Sequence, residues 1–410
     1  MYVVPSKATE DLAVADETAI KHRSLIAACL AHAVHDGFTD SLYAFLPVWQ
    51  TQFGLSYAAL AMVRALYYAT MGGLQIPTDR ALKRFSPRTT LMLSTATASA
   101  GLLIAVIPLG FFGLCVGLVI AGIGSSVQHP RGSMLVTDTY GDAARRPLGV
   151  YNFSGDLGKA ILPALIAAML PIIAWRPVLA LLVILGALVT FALVWLAHAT
   201  PVKLSNKRQG SQAKASNGFG ILTIIGGLDK ATRMGYLLFL PFLVRGHGGG
   251  STEVGVALGF LFVGGALGKA TCGWLAERFG VVFSVIVTEA LTAFMIAATL
   301  FTPITATLVI LPVLGIVLNG TSSILYGSVP ELSSGDTGRA FAIFYTSVIG
   351  SGGLAPIAYG LIADHTSQTV GIVASAATAG LIVPLMLVLR PHLPKVAEAP
   401  TGDAIKSTSV

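Results

Sequence analysis

Residues 178–197, VLALLVILGALVTFALVWLA, carry no ionisable side chain. Crossing the hydrocarbon core of a bilayer takes about 20 mostly apolar residues in a helix, and this run reaches that length unaided. Working outward, two longer charge-free stretches, Thr89–Gln128 and Ala290–Pro330, each hold enough residues for an antiparallel pair of spans. The whole chain follows suit: of 410 residues 54% are apolar and 11% charged, and mean hydropathy is +0.77. A soluble domain carries roughly 25% charged residues, so water-soluble classes are excluded and an all-α, polytopic membrane protein is expected. Cys29, Cys115 and Cys272 are scattered through apolar runs, which reads as buried thiols and not as a disulfide or zinc framework.

Hydropathy places twelve transmembrane helices at 24–46, 55–78, 89–109, 112–136, 147–171, 178–198, 219–243, 254–276, 281–301, 304–329, 340–363 and 371–390. The net charge of +7 does not mark a nucleic-acid binder, because Lys and Arg cluster in short segments between spans. With the N-terminus inside, the inward segments hold eighteen Lys and Arg and the outward loops only Arg176 and Arg245. That bias fixes an even number of spans with both termini cytoplasmic. The first apolar run continues beyond the length of a signal peptide and has no cleavage site, so the chain is expected in the cell (inner) membrane. Its organisation reads as a cytoplasmic tail (1–23), a six-helix bundle (24–200), a Ser-, Lys- and Gly-rich cytoplasmic linker (201–218), a second six-helix bundle (219–390) and a cytoplasmic tail (391–410).

The two halves repeat each other. Phe45-Leu46-Pro47 answers Phe239-Leu240-Pro241, Asp79-Arg80 answers Glu277-Arg278, Ser125-Ser126 answers Ser322-Ser323, and Gly155 with Gly158 answers Gly350 with Gly353. Parallel repeats of six spans put a substrate site between the halves near mid-membrane and allow access to alternate by rocking. The stretch GGLQIPTDRALKR (72–84) resembles the loop between helices 2 and 3 of the major facilitator superfamily, and GWLAERFG (273–280) resembles its second copy. Within that superfamily HAVHDGFTDSLYAFLP (32–47) and GSSVQHP (124–130) are most similar to fosmidomycin-resistance-type exporters. The resemblance implies two pseudo-symmetric six-helix bundles and a secondary transporter of a small organic solute.

Ionisable residues inside spans cost about 2.5–3.5 kcal/mol each on insertion scales and mark function by default. His32, Asp36 and Asp40 recur every four residues and share one face of helix 1, with His35 pointing elsewhere. Two carboxylates so close disfavour each other's ionised forms, which suits proton coupling by Asp36 and Asp40 with His32 as a relay; the alternative is pairing with a base to hold helices together. Arg64, His129, Arg131, Lys230 and Arg233 are candidates for binding an anionic or zwitterionic substrate, since guanidinium forks grip phosphonate and carboxylate in two-point contacts. Asp229 and Arg233 can instead pair locally, or Lys230 or Arg233 can face Asp36 across the cavity. Lys159, three residues after Asp156, is open to neutralisation by it. His129-Pro130 interrupts helix 4, so His129 either lines a cavity or satisfies freed carbonyls.

Asp79, Arg80 and Arg84 in the first half, with Glu277 and Arg278 in the second, form candidate gating loops: a latch across the halves that favours the outward-facing state, or a plain orientation signal. Tyr43, Trp49, Tyr67 and Tyr68 read as packing aromatics before a substrate cage. No GxxxxGK[ST] loop and no HExxH site occurs, so neither ATP drive nor a metal is expected, and no cofactor. An enzyme would need a nucleophile–base or metal constellation, and a sensor an added soluble domain; the sequence supplies neither. The resulting expectation is a monomer that exchanges protons for a drug-like or phosphonate-like anion (efflux by antiport), with membrane lipid around it and no nucleic acid. Proton symport of a carboxylated metabolite into the cell is the second reading.

Overall fold

In the computed structural model, residues 7–196, 217–333 and 337–393 are described. The linker expected at 201–218 lies almost wholly outside them, as do the ends of both tails. The elements are α1 (Lys7–Phe53), α2 (Tyr57–Gly73), α3 (Gln75–Ala81), α4 (Pro87–Val106), α5 (Gly110–Ser125), α6 (Gln128–Tyr140), α7 (Arg145–Met169), α8 (Trp175–Leu196), α9 (Asn217–Gly246), α10 (Ser251–Phe279), α11 (Val281–Ala298), α12 (Ile304–Leu332), α13 (Thr337–His365) and α14 (Gln368–Leu389). No strand occurs among the described residues. With α5 and α6 counted as one broken span and α3 as a loop helix, these are twelve membrane-crossing segments in two bundles of six.

Eight of the segments satisfy length and hydropathy for a span without qualification. The other four are α1, α2, α7 and α9. All four meet the opposite half, and they carry most of the buried charge. The weakest hydropathy thus falls on the helices that line the middle of the molecule.

α8 shows how the sequence sets a face. Val178, Leu182, Gly186, Val189 and Leu193 recur at three- and four-residue steps and are buried, mainly against α4. Ile184, Leu188, Phe191 and Trp195 lie between them and are exposed, as a lipid-facing side must be. Where lipid surrounds a bundle, close packing holds the helices together, and small residues permit it. Gly158 on α7 lies so close to the carbonyl of Ala33 on α1 that any Cβ would overlap it, and Gly37 faces this crossing from α1.

Two boundaries depart from hydropathy. α1 is 47 residues long, about 70 Å at 1.5 Å per residue, so it projects well beyond the bilayer. From Lys7 to His35 it has no Gly or Pro, and Lys21 pairs with Glu17 one turn earlier at 2.6 Å, so nothing stops the helix at the membrane surface. Gly54, with φ +64, ends it at the other side. The break in span 4 falls at Ser126–Val127, one turn before the position expected from Pro130. Pro130 sits in the first turn of α6, where its missing N–H has no helical acceptor to lose.

The halves touch through α7 with α10, α2 with α13, and α1 with α9. On the face opposite the start of α1 and the end of α14, this contact is a clasp. Asp364 at the end of α13 accepts the N–H groups of Tyr57 (2.8 Å) and Ala58 (2.9 Å), capping α2 from the other half. The Tyr57 hydroxyl donates to Gln368 at 3.1 Å, and its ring packs edge-on against Phe239 and Phe242. Towards the face bearing the termini the cross-half contacts thin out. The inner part of α10, from Lys269 to Thr271, is exposed, as are Ala342, Ile343, Tyr345 and Thr346 on α13. The molecule is closed on one face and open on the other.

Losing a cap costs about 1 kcal/mol, and a tenfold population change is worth 1.4 kcal/mol. Asp364→Ala is therefore expected to shift the balance about fivefold towards the state opened on the clasp side. Spin-label distances between the outer ends of α2 and α13 measure it; an unchanged distribution would show that the clasp holds nothing.

Candidate functional site

Asp36 is the centre of the first charged group. Its carboxylate is buried (5% exposed) and receives Lys159 Nζ at 2.9 Å, His32 Nε2 at 3.2 Å and His129 Nε2 at 3.4 Å. The partners come from α1 itself, from α7 and from the first turn of α6, so the break in span 4 is what turns His129 to the carboxylate. Gly155 on α7 is needed beside them, since a Cβ there would lie 2.6 Å from His32 Nε2 and 2.7 Å from the Asp36 carboxylate.

The hydrogen-bond polarity at His32 can be worked out. Its Nδ1 lies 2.8 Å from the carbonyl of Tyr151, which can only accept, so Nδ1 carries a hydrogen, and the ring stacks on that of Tyr151. A neutral imidazole then turns a lone pair from Nε2 towards Asp36. The 3.2 Å contact holds only if one proton lies between them, on the imidazole or on the carboxyl. His35 differs: Thr95 donates its hydroxyl to Leu91, so His35 Nε2 donates to Thr95 (3.1 Å), and Nδ1 accepts from Ser125 (2.9 Å). It is a satisfied neutral tie between α1, α4 and α5.

From Asp36 an alternating chain of charge leads across the molecule. Lys159 reaches Asp156 at 3.6 Å, and Asp156 receives Lys269 of the opposite half at 2.7 Å to each oxygen. The nearest base to Asp36 is Lys159, not Lys230 or Arg233. Arg233 takes the local alternative, pairing with Asp229 at 3.1 Å and also touching Ser322.

A second group lies one turn along. Asp40 and Arg64 approach to 3.6 Å, both buried, and the guanidinium lies over the rings of Tyr43 (4.1 Å) and Tyr68 (5.2 Å). Arg64 Nε and one terminal nitrogen find no hydrogen-bond acceptor among the described residues. Lys230 from the other half sits 5.5 Å over Tyr68, and the Tyr43 hydroxyl donates to Met234 Sδ at 3.2 Å. Two cations thus meet at the half interface with one nearby carboxylate. Tyr43 and Tyr68 line this meeting point, whereas Trp49 packs on Phe45 and Trp175, and Tyr67 bonds Ser125 at 2.6 Å.

Arg131 lies outside both groups. It donates to Asp79 Oδ1 at 2.8 Å and to the Asp79 carbonyl at 3.0 Å, within its own half. Arg278 lies over Trp274 and Phe279, and Arg80, Arg84 and Glu277 form no ion pair among the described residues. Among the described residues no ion pair joins the two loops. His32, Asp36 and His129 could offer three metal ligands within 4.8 Å of one another. The Lys159 ammonium on the same carboxylate puts positive charge where a metal ion would bind, so the geometry suits a proton better. Sequence spacing paired Lys159 with Asp156, which the structure keeps at 3.6 Å, but gave no sign of the Lys159–Asp36 and Lys269–Asp156 contacts or of Asp364, because those partners lie on distant helices.

Comparison with known proteins agrees with this architecture. The chain is 22% identical over 366 residues to the fosmidomycin resistance protein of Escherichia coli (strain K12), covering 82% of this chain and 86% of that one. Among solved structures it superposes with a bacterial homologue of the human lysosomal transporter Spinster, inward-facing and unoccupied (TM-score 0.74, 18% identity, 93% of this chain and 99% of that). It also superposes with a POT family transporter in complex with 5-aminolevulinic acid (TM-score 0.76, 13% identity, 91% and 97%). The family model of the Major Facilitator Superfamily matches twice, over residues 28–226 and 221–409, one match per bundle. With both halves matched and the charged cleft between them, the chain belongs to the Major Facilitator Superfamily and is a multi-pass membrane transporter, not an enzyme.

Proposed function

We propose that the protein is a proton-coupled antiporter of the inner membrane that exports a small drug-like or phosphonate-like anion as a monomer, with both termini cytoplasmic. The observation that carries this reading is the Asp36 group: a buried carboxylate 3.2 Å from His32 Nε2, joined through Lys159 and Asp156 to Lys269 of the opposite half. Protonating Asp36 releases Lys159 to Asp156, which then competes with Lys269 for one carboxylate and loosens the contact of α7 with α10. Deprotonation restores it. Arg64 and Lys230 supply positive charge for the anion at the same level of the membrane. The bias of Lys and Arg makes the face bearing the termini cytoplasmic, so the state described is open inward, ready to load substrate for export.

Proteoliposomes under an imposed pH gradient test this. An exporter of this kind moves a radiolabelled phosphonate against protons, and the flux reverses sign with the gradient. Accumulation of a carboxylate together with protons would overturn export in favour of symport.

A further inference from the structure

The second half contains a buried acid pair at positions where the first half has a neutral tie. The landmarks that align the halves bring Asp229 onto His35, Ser322 onto Ser125 and Arg233 onto Thr39, and the starts of α4 and α11, Pro87 and Val281, bring Glu289 onto Thr95. The contacts repeat with the residues. His35 bonds Thr95 and Ser125, while Asp229 bonds Glu289 and receives Ser322 at 3.2 Å. Two carboxyls and a guanidinium have replaced an imidazole and two hydroxyls at the same crossing of inner and outer helices.

Charge and donor bookkeeping place the proton. Glu289 is 1% exposed and Asp229 4%. Arg233 at 3.1 Å and Ser322 both serve Asp229, so Asp229 is the ionised member. The Glu289 carboxyl contacts Asp229 and the Thr321 hydroxyl. The single hydrogen of Thr321 has Val317 O (3.0 Å), Thr288 Oγ1 (2.9 Å) and the Glu289 carboxyl within reach, and Thr288 donates to Ser284 O (2.9 Å). Two carboxyls in contact need a hydrogen between them. The other ionisable groups near the pair are Cys272 on α10, Lys230 on α9 and Tyr326 on α12; α14, packed along α11, brings none.

We propose that Glu289 and Asp229 form a second proton-binding site, in the C-terminal half, whose shared proton exchanges with the cleft through Arg233. This rests on the proton-coupled reading above. Arg233, 13% exposed at its side chain, is the most open member of the group. When its guanidinium swings off Asp229, the proton passes from the Glu289 hydroxyl to the Asp229 carboxylate and from there to water, leaving two carboxylates with one net negative charge once Arg233 returns, with the Lys230 ammonium as the next positive charge.

The test uses infrared difference spectroscopy and flux on the full-length purified protein. At neutral pH the protonated-carboxyl band is expected in the wild type and in Asp36→Asn and absent in Glu289→Gln. In proteoliposomes Glu289→Gln is expected to lose roughly 30-fold or more of pH-gradient-driven flux. Solute exchange without a gradient should stay within about threefold of the wild type. Glu289→Thr, which copies the residue of the other half, should behave likewise and guards against misfolding of the amide. A band that persists in Glu289→Gln, or wild-type gradient-driven flux in both variants, overturns the proposal. If Asp36→Asn alone loses coupling, Glu289 is excluded and the proton-coupled reading survives; if the wild type shows no gradient-driven flux, both fail.

Discussion

Asp36→Asn is expected to reduce pH-gradient-driven transport about 100-fold or more while leaving solute exchange within about tenfold of the wild type, because binding and coupling are separable when the group replaced carries a proton and not the solute. The substitution is close to isosteric. Lys159 Nζ (2.9 Å) and His32 Nε2 (3.2 Å) share one carboxylate oxygen, so the amide oxygen placed there keeps the Lys159 contact while the N–H₂ turns to His129 Nε2. What disappears is the proton that can be lost. The Lys159 charge, now without its carboxylate at 2.9 Å, leans on Asp156, and the chain to Lys269 stays fixed whatever the pH. The wild-type rate should therefore vary with pH where that of the variant is flat. Measured flux against pH in proteoliposomes checks this, and full gradient-driven transport by the variant would remove Asp36 from the coupling role.

Arg64 gives the second large effect, separable into folding and binding. The guanidinium is buried over two tyrosine rings with Asp40 at 3.6 Å, and two of its nitrogens lack an acceptor. A buried guanidinium fork with spare donors suits a two-point contact with an anion, the role proposed for Arg64. Arg64→Lys keeps the charge and loses the planar fork, and is expected to raise KM for an anionic substrate about 30-fold with little change in thermal midpoint. Arg64→Met strands Asp40, and breaking a buried pair costs about 3–5 kcal/mol, so that variant should melt several degrees lower. Adding Asp40→Asn removes the stranded charge and should restore the midpoint but not transport. Thermal shift in detergent and substrate titration report the two halves of this prediction; an unchanged KM in Arg64→Lys would show that the anion binds elsewhere.

Sequence spacing was most informative along a single helix. His32 with Asp36 and Asp229 with Arg233, each four residues apart, do meet, because helical geometry alone puts them on one face. Span positions were legible for the same reason: lipid demands a run of apolar residues wherever a helix crosses. Partnership between helices was not. Nothing in local spacing tells Lys159 to choose Asp36 at 2.9 Å over Asp156 at 3.6 Å, or binds Arg131 to Asp79. Those choices depend on how α1, α6 and α7 cross, which small residues such as Gly155 and Gly158 set through backbone approach. The ends of α1 were misplaced because hydropathy reports where the bilayer stops, whereas a helix stops only at a breaker.

The bridge between Lys269 and Asp156 has a kinetic implication. Its lysine side chain is 46% exposed and its carboxylate only 9%, so the pair lies between a surface bridge, worth about 1 kcal/mol or less, and a buried one, whose breaking costs about 3–5 kcal/mol. Such a link steers the register of the two halves without locking them, so it can break and remake many times within a single turnover. On the opposite face the Tyr57 ring and the Asp364 cap join the halves together, so in the proposed cycle both contacts must part for that side to open.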